Sequence, residues 1–300
     1  MAGITTSGTA AGATNPGLCE GRLTLTSGTP VTTADVTGAT TMYFAPYGGS
    51  RLALYDGAAW VEYTFTELSL ALGTLTNALP YDVFVYANAG TPTLEFLAWT
   101  SDTARATALT TQNGVLSKTG ALTRRYLGTF RTTSTTATED SALKRFVWNY
   151  YNRAARQLFS CPAYNNADAN TTWTSASTTW AAANGGTGSK VECVIGWAED
   201  AVDIHVAMEA DNDGLNGRCS AGAGIDSVTS VTAIASVRSF VAGNSSADSV
   251  DYIYVPAVGY HHFNLLVRVS GGTGTWVADL ARSGAAADPY TTYITVLLNG

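Results

Sequence analysis

Charge is what this sequence has least of. Only 13% of its 300 residues are Asp, Glu, Lys or Arg, about half of the ~25% usual for a soluble globular domain. Helical bundles and coiled coils rely on charged helix formers, so neither suits this chain. Basic residues are scarcer than acidic ones, 16 against 23, for a net charge of −7. The basic groups, Arg124-Arg125, Lys144-Arg145 and Arg153 with Arg156, are too few and scattered to displace counterions from nucleic acid. No run of about 18 apolar residues exists. The uncharged stretch from Ala169 to Ser189 is rich in Thr, Ser, Asn and Gly, so membrane insertion is not expected. The first 17 residues have no basic start and no apolar segment. The expectation is therefore synthesis in a cytoplasm without a signal peptide.

Residues of metal and redox chemistry are equally sparse. The three histidines, His205, His261 and His262, lack HExxH or HxH spacing. If His261 and His262 open a strand, they point to opposite faces. A histidine satisfied by neighbours or solvent is the expectation, and a metal site shared on a threefold axis the alternative. Cys19, Cys161, Cys193 and Cys219 form no CxxC pair and read as four free thiols. Cys193 shares a strand face with Val191, Ile195 and Trp197, so it behaves as a small core residue. No cofactor is expected.

Apolar residues and turn formers are abundant. The first make up 46% of the chain, and glycine contributes 30 residues. This is enough for a real core, which excludes disorder. The apolar residues recur with period two. Val61, Tyr63 and Phe65 alternate with Glu62 and Thr64, and Asp56-Gly57 before them marks a hairpin. Val202, Ile204, Val206 and Met208 point inward, with Asp203 and His205 outward. Leu265, Val267 and Val269 repeat the pattern with Arg268 outward. Further strands are expected at 81–86, 94–99, 126–130, 191–197, 228–241, 250–255, 275–280 and 290–298. The Thr-rich stretch 132–138 reads as a loop or linker. The fold class is all-β: two β-sandwich or jelly-roll-like domains after a flexible N-terminal arm. The expected divisions are an arm over 1–18, an attachment domain over 19–156 and an exposed display domain over 157–300.

The segment from Asp140 to Arg156 fits two readings. Leu143, Phe146, Val147 and Tyr150 have helical spacing, whereas Phe146, Val147, Trp148, Tyr150 and Tyr151 form a strand-favouring aromatic block. The strand reading is preferred. Each exposed ring would leave on the order of 150–250 Å² unburied. The block is therefore expected between the two halves or between subunits.

Catalytic patterns are missing. No Gly-x-Ser-x-Gly occurs, and Gly185 to Lys190 leads into a strand and lacks phosphate-loop spacing. The densest acidic cluster is Glu199, Asp200, Asp203, Glu209, Asp211 and Asp213. Asp203 and Glu209 have the parity to share one strand face, the minimum for a carboxylate pair in glycoside hydrolysis. Surface solubilisation is the simpler role. Asp211-Asn-Asp-Gly214 begins like a calcium loop, but the twelfth position is Gly222 instead of Glu. No catalytic and no metal residue is assigned.

Five ordered blocks carry a resemblance. They are Thr41–Gly49, Arg51–Gly57, Tyr81–Tyr86, Arg124–Thr129 and Lys144–Arg153. They resemble a module found in fibre-like or decoration proteins of tailed bacteriophage virions, over about residues 20–156. In that module a Pro tends to follow the last block; here Ala154-Ala155 stands instead. The resemblance implies a structural virion protein, a trimeric fibre- or spike-like appendage attached through its N-terminal half. A capsid decoration protein, or a host-receptor adhesin binding glycan through its C-terminal half, is the alternative. The partners implied are further copies of the chain, other tail or capsid proteins, and host surface glycan. Trp173, Trp180, Tyr260 and Trp276 are the candidate glycan contacts. Enzymatic activity is not expected, a polysaccharide depolymerase being the remaining alternative.

Overall fold

The computed structural model describes residues 14–162, 172–186, 189–238, 244–277 and 292–300. Among them every regular element is a β-strand except one short 3-10 turn at Ala183–Gly185. The expected all-β, sandwich-type architecture is the observed one. Most of the expected arm, residues 1–13, lies outside the described residues.

The first half is built from three sheets. Strands Gly21–Thr24, Thr41–Pro46 and Leu68–Ala71 form an antiparallel sheet with Thr41–Pro46 in the centre. Arg51–Tyr55 and Trp60–Thr64 form the expected hairpin. Its loop closes because Asp56 Oδ1 accepts from the N–H groups of both Ala58 and Ala59, each at 2.8 Å, an Asx turn that supplies local partners to loop backbone. The third sheet runs in the order Thr91–Ala98, Pro80–Asn88, Ala121–Arg131, Val115–Lys118 and Leu109–Gln112, with Val147–Asn149 also paired to Ala121–Arg131. Their inward residues, among them Leu23, Met42, Phe44, Leu52, Val83, Val85 and Phe130, form one core.

The second half is a sandwich. One sheet contains Lys190–Ile195, Gly259–Val269, Arg218–Ile225 and Ala233–Arg238. The other contains Ala155–Ser160, Tyr293–Asn299, Val202–Asn212, Gly274–Val277 and Thr172–Ser175, with Ser246–Tyr254 along the remaining side of Val202–Asn212. Ile204, Val206, Ile294 and Val296 share a core with Val191, Cys193, Ala221, Leu265 and Val267. The alternation of inward apolar and outward polar residues selects this face, since slipping any strand by one residue would turn its apolar set to water.

The two halves are stitched together. Val36–Ala39, Thr138–Asp140 and Lys144–Arg145 extend the sheet of the second half, through a parallel pairing of Lys144–Arg145 with Glu192 and Cys193. Strand Ala155–Ser160 runs through the expected division at residue 156. Its Arg156 reaches back to Asp140 at 2.9 Å and to Thr32.

Several expected elements differ in extent. The Thr-rich stretch is a loop, as one of its two readings had it, closed by a bridge between Thr132 and Thr138 rather than open as a linker. Thr132 and Thr138 are fully buried; Thr132 Oγ1 donates to the Thr76 carbonyl at 2.7 Å and Thr138 Oγ1 to the Arg131 carbonyl at 2.6 Å. Threonine hydroxyls here do the work of sheet hydrogen bonds, which composition cannot reveal. The strand expected over 228–241 is observed as Ala233–Arg238. Ser227 Oγ accepts from the N–H groups of Thr229 and Ser230 and turns the chain beforehand. The strands expected over 275–280 and 290–298 are Gly274–Val277 and Tyr293–Asn299; residues 278–280 and 290–291 lie outside the described residues, as do 239–241.

Candidate functional site

The aromatic block lies at the junction of the two halves. The segment 140–156 holds no helix; it is strand at Thr138–Asp140, Lys144–Arg145, Val147–Asn149 and from Ala155, with bends and irregular backbone between, so the strand preference holds for Val147–Asn149 of the aromatic block. Side chains alternate across strand Val147–Asn149: Val147 belongs to the first core, and Trp148 to the second. Tyr150 packs on the second core and Tyr151 on the first. Phe146, at 1% exposure, stands edge-on to Tyr260 with centroids 6.1 Å apart. Phe146, Val147 and Trp148 are therefore buried within one chain, and Tyr150 and Tyr151 are half-buried. Gly128 permits this packing, because a Cβ there would lie 2.1 Å from the Trp148 carbonyl oxygen.

Polar side chains fasten the junction. Asn149 bonds both backbone groups of Leu23, and Asn152 Nδ2 donates to the carbonyls of Cys19 and Gly21. Arg153 lies over Trp148 and pairs with Glu199 and Asp200. Arg125, 1% exposed, donates to the carbonyls of Pro16, Gly17, Leu18 and Ala53. Residues 16–18, expected in the flexible arm, are thus held by a buried guanidinium. Arg105 bridges Asp82, at 2.7 Å, and the Gly196 carbonyl. Burial lifts the Asp82 carboxyl above its ordinary value despite Arg105 and Thr129.

Two of the glycan candidates are core residues. Trp276 is fully buried and Trp173 is 8% exposed. They stack on each other with centroids 6.1 Å apart and ring planes 12° apart, on the paired strands Thr172–Ser175 and Gly274–Val277. Their faces are unavailable to a sugar because the inward parity of both strands points them into the sandwich. Tyr260 is half-buried, beneath Arg131 at 4.0 Å, with its hydroxyl donating to Glu192. Trp180 is half-buried and lies against Arg268 at 4.8 Å.

The acidic cluster does not converge. Asp203 and Glu209 stand on one strand, Val202–Asn212, six residues apart, hence about 20 Å, beyond the roughly 5–9.5 Å of a glycosidase pair. In the segment 211–214, Asp211 and Asn212 end the strand Val202–Asn212 and the chain turns after them. Asn212 Oδ1 accepts from Gly214 N–H, and Asp213 Oδ1 accepts from Thr273 N–H. Among the described residues, no group of three or more His, Cys, Asp or Glu is placed to hold a metal.

The histidines and cysteines are built into the sheets. Nδ1 of His261 lies 2.7 Å from Asp226 Oδ2, and Nε2 lies 2.8 Å from the Ala257 carbonyl. Burial pulls its pKa down, but the hydrogen bonds to Asp226 and Ala257 and the Asp226 charge outweigh that, and the net shift is upward. His262 faces the other way, 2.7 Å from Asn264 Nδ2, and burial lowers its pKa. His205 Nδ1 sits 2.6 Å from Asp251. All four cysteines are buried and unbridged. Burial pushes the Cys219 thiol up to about 11 and raises Cys193 further, so neither is a thiolate at neutral pH.

One surface was not singled out from sequence. Among the described residues, strand Ser246–Tyr254 has one ladder partner, Val202–Asn212, and Ala233–Arg238 lies close by, where the Ser236 N–H donates to Asp248 Oδ2 at 2.8 Å. On its outer face Ile253 is in register with Asp203, and Asp203 with Leu297. Ile253 is 71% exposed, Val255 57% and Leu297 47%. Phe159 and Tyr293 continue the same face, with ring centroids 5.8 Å apart. The signal was present in the sequence: Val250 to Val255 carries apolar residues at both parities, which a strand with one wet face does not need.

No family model matches the sequence, and no curated protein matches it. Solved structures that align with it are remote. The Eiger TNF from S. frugiperda is 8% identical, covering 48% of this chain and 91% of that one, with a TM-score of 0.31. The insecticidal delta-endotoxin Cry8Ea1 from Bacillus thuringiensis is 10% identical, covering 94% of this chain and 52% of that one, with a TM-score of 0.29. An infectious bursal disease virus structure, Gx strain, is 9% identical, covering 89% and 73%, with a TM-score of 0.21. At these scores the alignments carry no argument about function.

Proposed function

We propose that this chain is a self-associating structural component of a bacteriophage virion, a β-rich fibre- or spike-like appendage. The observation that carries self-association is the exposed edge strand Ser246–Tyr254 with its apolar outer row. Among the described residues the end of this strand beside Ile253, Val255 and Leu297 has no second ladder partner and is a pairing template, and an apolar face of this kind marks an interaction site. A further copy of the chain is the occupant we favour, because closed symmetry covers such an edge on every subunit. The virion assignment is supported by the five sequence blocks. Two of them, Arg124–Thr129 and Lys144–Arg153, supply Arg125, Trp148, Asn149, Asn152 and Arg153, which build the junction between the halves.

Two measurements test this reading. Light scattering at micromolar concentration should give a trimer; a stable monomer would overturn self-association. Antibody labelling of intact particles, imaged by electron microscopy, should place the chain on the tail or the capsid. Particles that carry no label would overturn the virion assignment.

A further inference from the structure

Among the described residues, most arginines are accounted for by partners. Arg51, Arg105, Arg124, Arg131, Arg145, Arg153 and Arg156 pair with carboxylates, and Arg22 and Arg125 bond backbone carbonyls. Arg218 and Arg268 differ. Among the described residues neither guanidinium has a carboxylate within ion-pair distance, although the chain carries a net charge of −7. Both are exposed, and both stand on the outer face of the sheet containing Gly259–Val269 and Arg218–Ile225.

They share a cleft of about 400 Å³. Strand register places Arg268 level with Ser220, and Ser220 level with Ser236. Thr178, Ser270 and the half-exposed Ile234 complete the lining. The hydroxyls have capacity to spare. Ser270 Oγ accepts from the Arg218 N–H at 3.0 Å, which leaves its own proton to donate. Ser220 and Ser236 share one hydrogen bond at 3.0 Å, and Ser236 Oγ also donates to the Cys219 carbonyl at 3.4 Å, so each oxygen retains acceptor capacity. Trp180 lies against the Arg268 guanidinium at 4.8 Å and so orients its fork, making Trp180 a positioning residue. Asp248, which reaches the lining residue Ser236 from strand Ser246–Tyr254, is turned to the backbone N–H groups of Ser236 and Ser249.

We propose that this cleft binds one acidic sugar, a pyranose bearing a carboxylate or a sulfate ester. The two guanidinium groups present forked donors to a pair of anionic oxygens. The serine and threonine hydroxyls match a sugar's ring hydroxyls, and Ile234 offers an apolar patch to a ring face. The volume is at the small end for ligand clefts, roughly 300–1,000 Å³, which suits a single sugar residue. The site rests on Arg218 and Arg268, which stand on the sheet opposite the one carrying Ile253 and Leu297, so the reading of that apolar row is tested separately.

The test is saturation-transfer NMR on the full chain with five probes: D-glucuronate, glucose 6-sulfate, glucose, acetate and inorganic sulfate. At least one acidic sugar should bind more tightly than glucose and than its matching bare anion. The double variant R218Q/R268Q should melt as the parent does and weaken that binding by roughly tenfold or more. Stronger binding of glucuronate or of glucose 6-sulfate identifies which substituent the cleft prefers. Equal binding of glucose would remove the role of the arginines, and equal binding of the bare anion would reduce the cleft to an anion patch. Unchanged affinity in the folded double variant, or no binding by any probe, would also overturn the proposal.

Discussion

Asn149 stands in for a missing strand neighbour of Leu23. Its Oδ1 accepts from the Leu23 N–H at 2.6 Å, and its Nδ2 donates to the Leu23 carbonyl at 3.2 Å. One side-chain amide thus satisfies both backbone groups of a residue in the outer strand Gly21–Thr24. Both residues are 2% exposed, so water cannot replace the bonds.

Asn149→Ala should therefore lower stability by about 2–4 kcal/mol, since two buried backbone groups lose their partner. Thermal unfolding followed by circular dichroism measures this. A melting temperature equal to the parent's would show that strand Gly21–Thr24 does not need the amide.

The Asp82–Arg105 pair makes a second prediction at the junction. Arg105→Met leaves the Asp82 carboxylate, 1% exposed, with Thr129 as its remaining hydrogen-bond donor. Removing one partner of a buried pair costs about 3–5 kcal/mol. Adding Asp82→Asn should restore much of the loss, because the uncompensated charge is gone. Chemical denaturation of the two variants would separate these effects; a double variant no more stable than Arg105→Met alone would contradict the charge explanation.

The His261–Asp226 pair gives the fold a pH window. His261 has a folded pKa above its ordinary 6.5, so its contribution is full below about 6.5 and is lost as pH rises through the folded value. Asp226 has a folded pKa below its ordinary 3.8. Burial alone would raise it, but His261 and the His262 N–H more than compensate. Its contribution is present above about 3.8 and is lost as pH falls through the folded value. Stability from this pair should be greatest between about 4 and 6.5. In His261→Gln the decline on the alkaline side should flatten, as measured by melting temperature from pH 5 to 9. An unaltered profile would assign the decline to other groups.

Ile253→Lys probes the exposed face. At 71% exposure this change should alter monomer stability by no more than about 0.5 kcal/mol. It should dissociate the assembly, because a charge would be buried at each interface. Sedimentation velocity would show the shift; an unchanged sedimentation coefficient in an oligomeric protein would place the interface elsewhere.

What the sequence determined by itself was local and periodic. The alternation Val202–Met208 and Leu265–Val269 set strand faces, Asp56-Gly57 set a hairpin, and the aromatic density of Phe146–Tyr151 favoured strand over helix. These signals lie within a few residues of one another, and side-chain parity reads them directly. Tertiary structure alone decided which aromatic was core and which was surface. Trp173 and Trp276 are uncharged and flanked by Thr and Gly like any exposed aromatic, but their paired strands turn both rings into the sandwich. Only the fold showed that Phe146, Val147 and Trp148 are buried within one chain, and that the buried side chains of Thr132 and Thr138 flank a surface turn. Only the fold left Arg218 and Arg268 side by side without carboxylates. Those outcomes depend on pairings between residues distant in sequence, whose register is fixed by the packing of whole sheets. The low charge that excluded so much at the outset acquires a positive sense here: among the described residues the few arginines are mostly spent on partners within the chain, which makes Arg218 and Arg268 stand out.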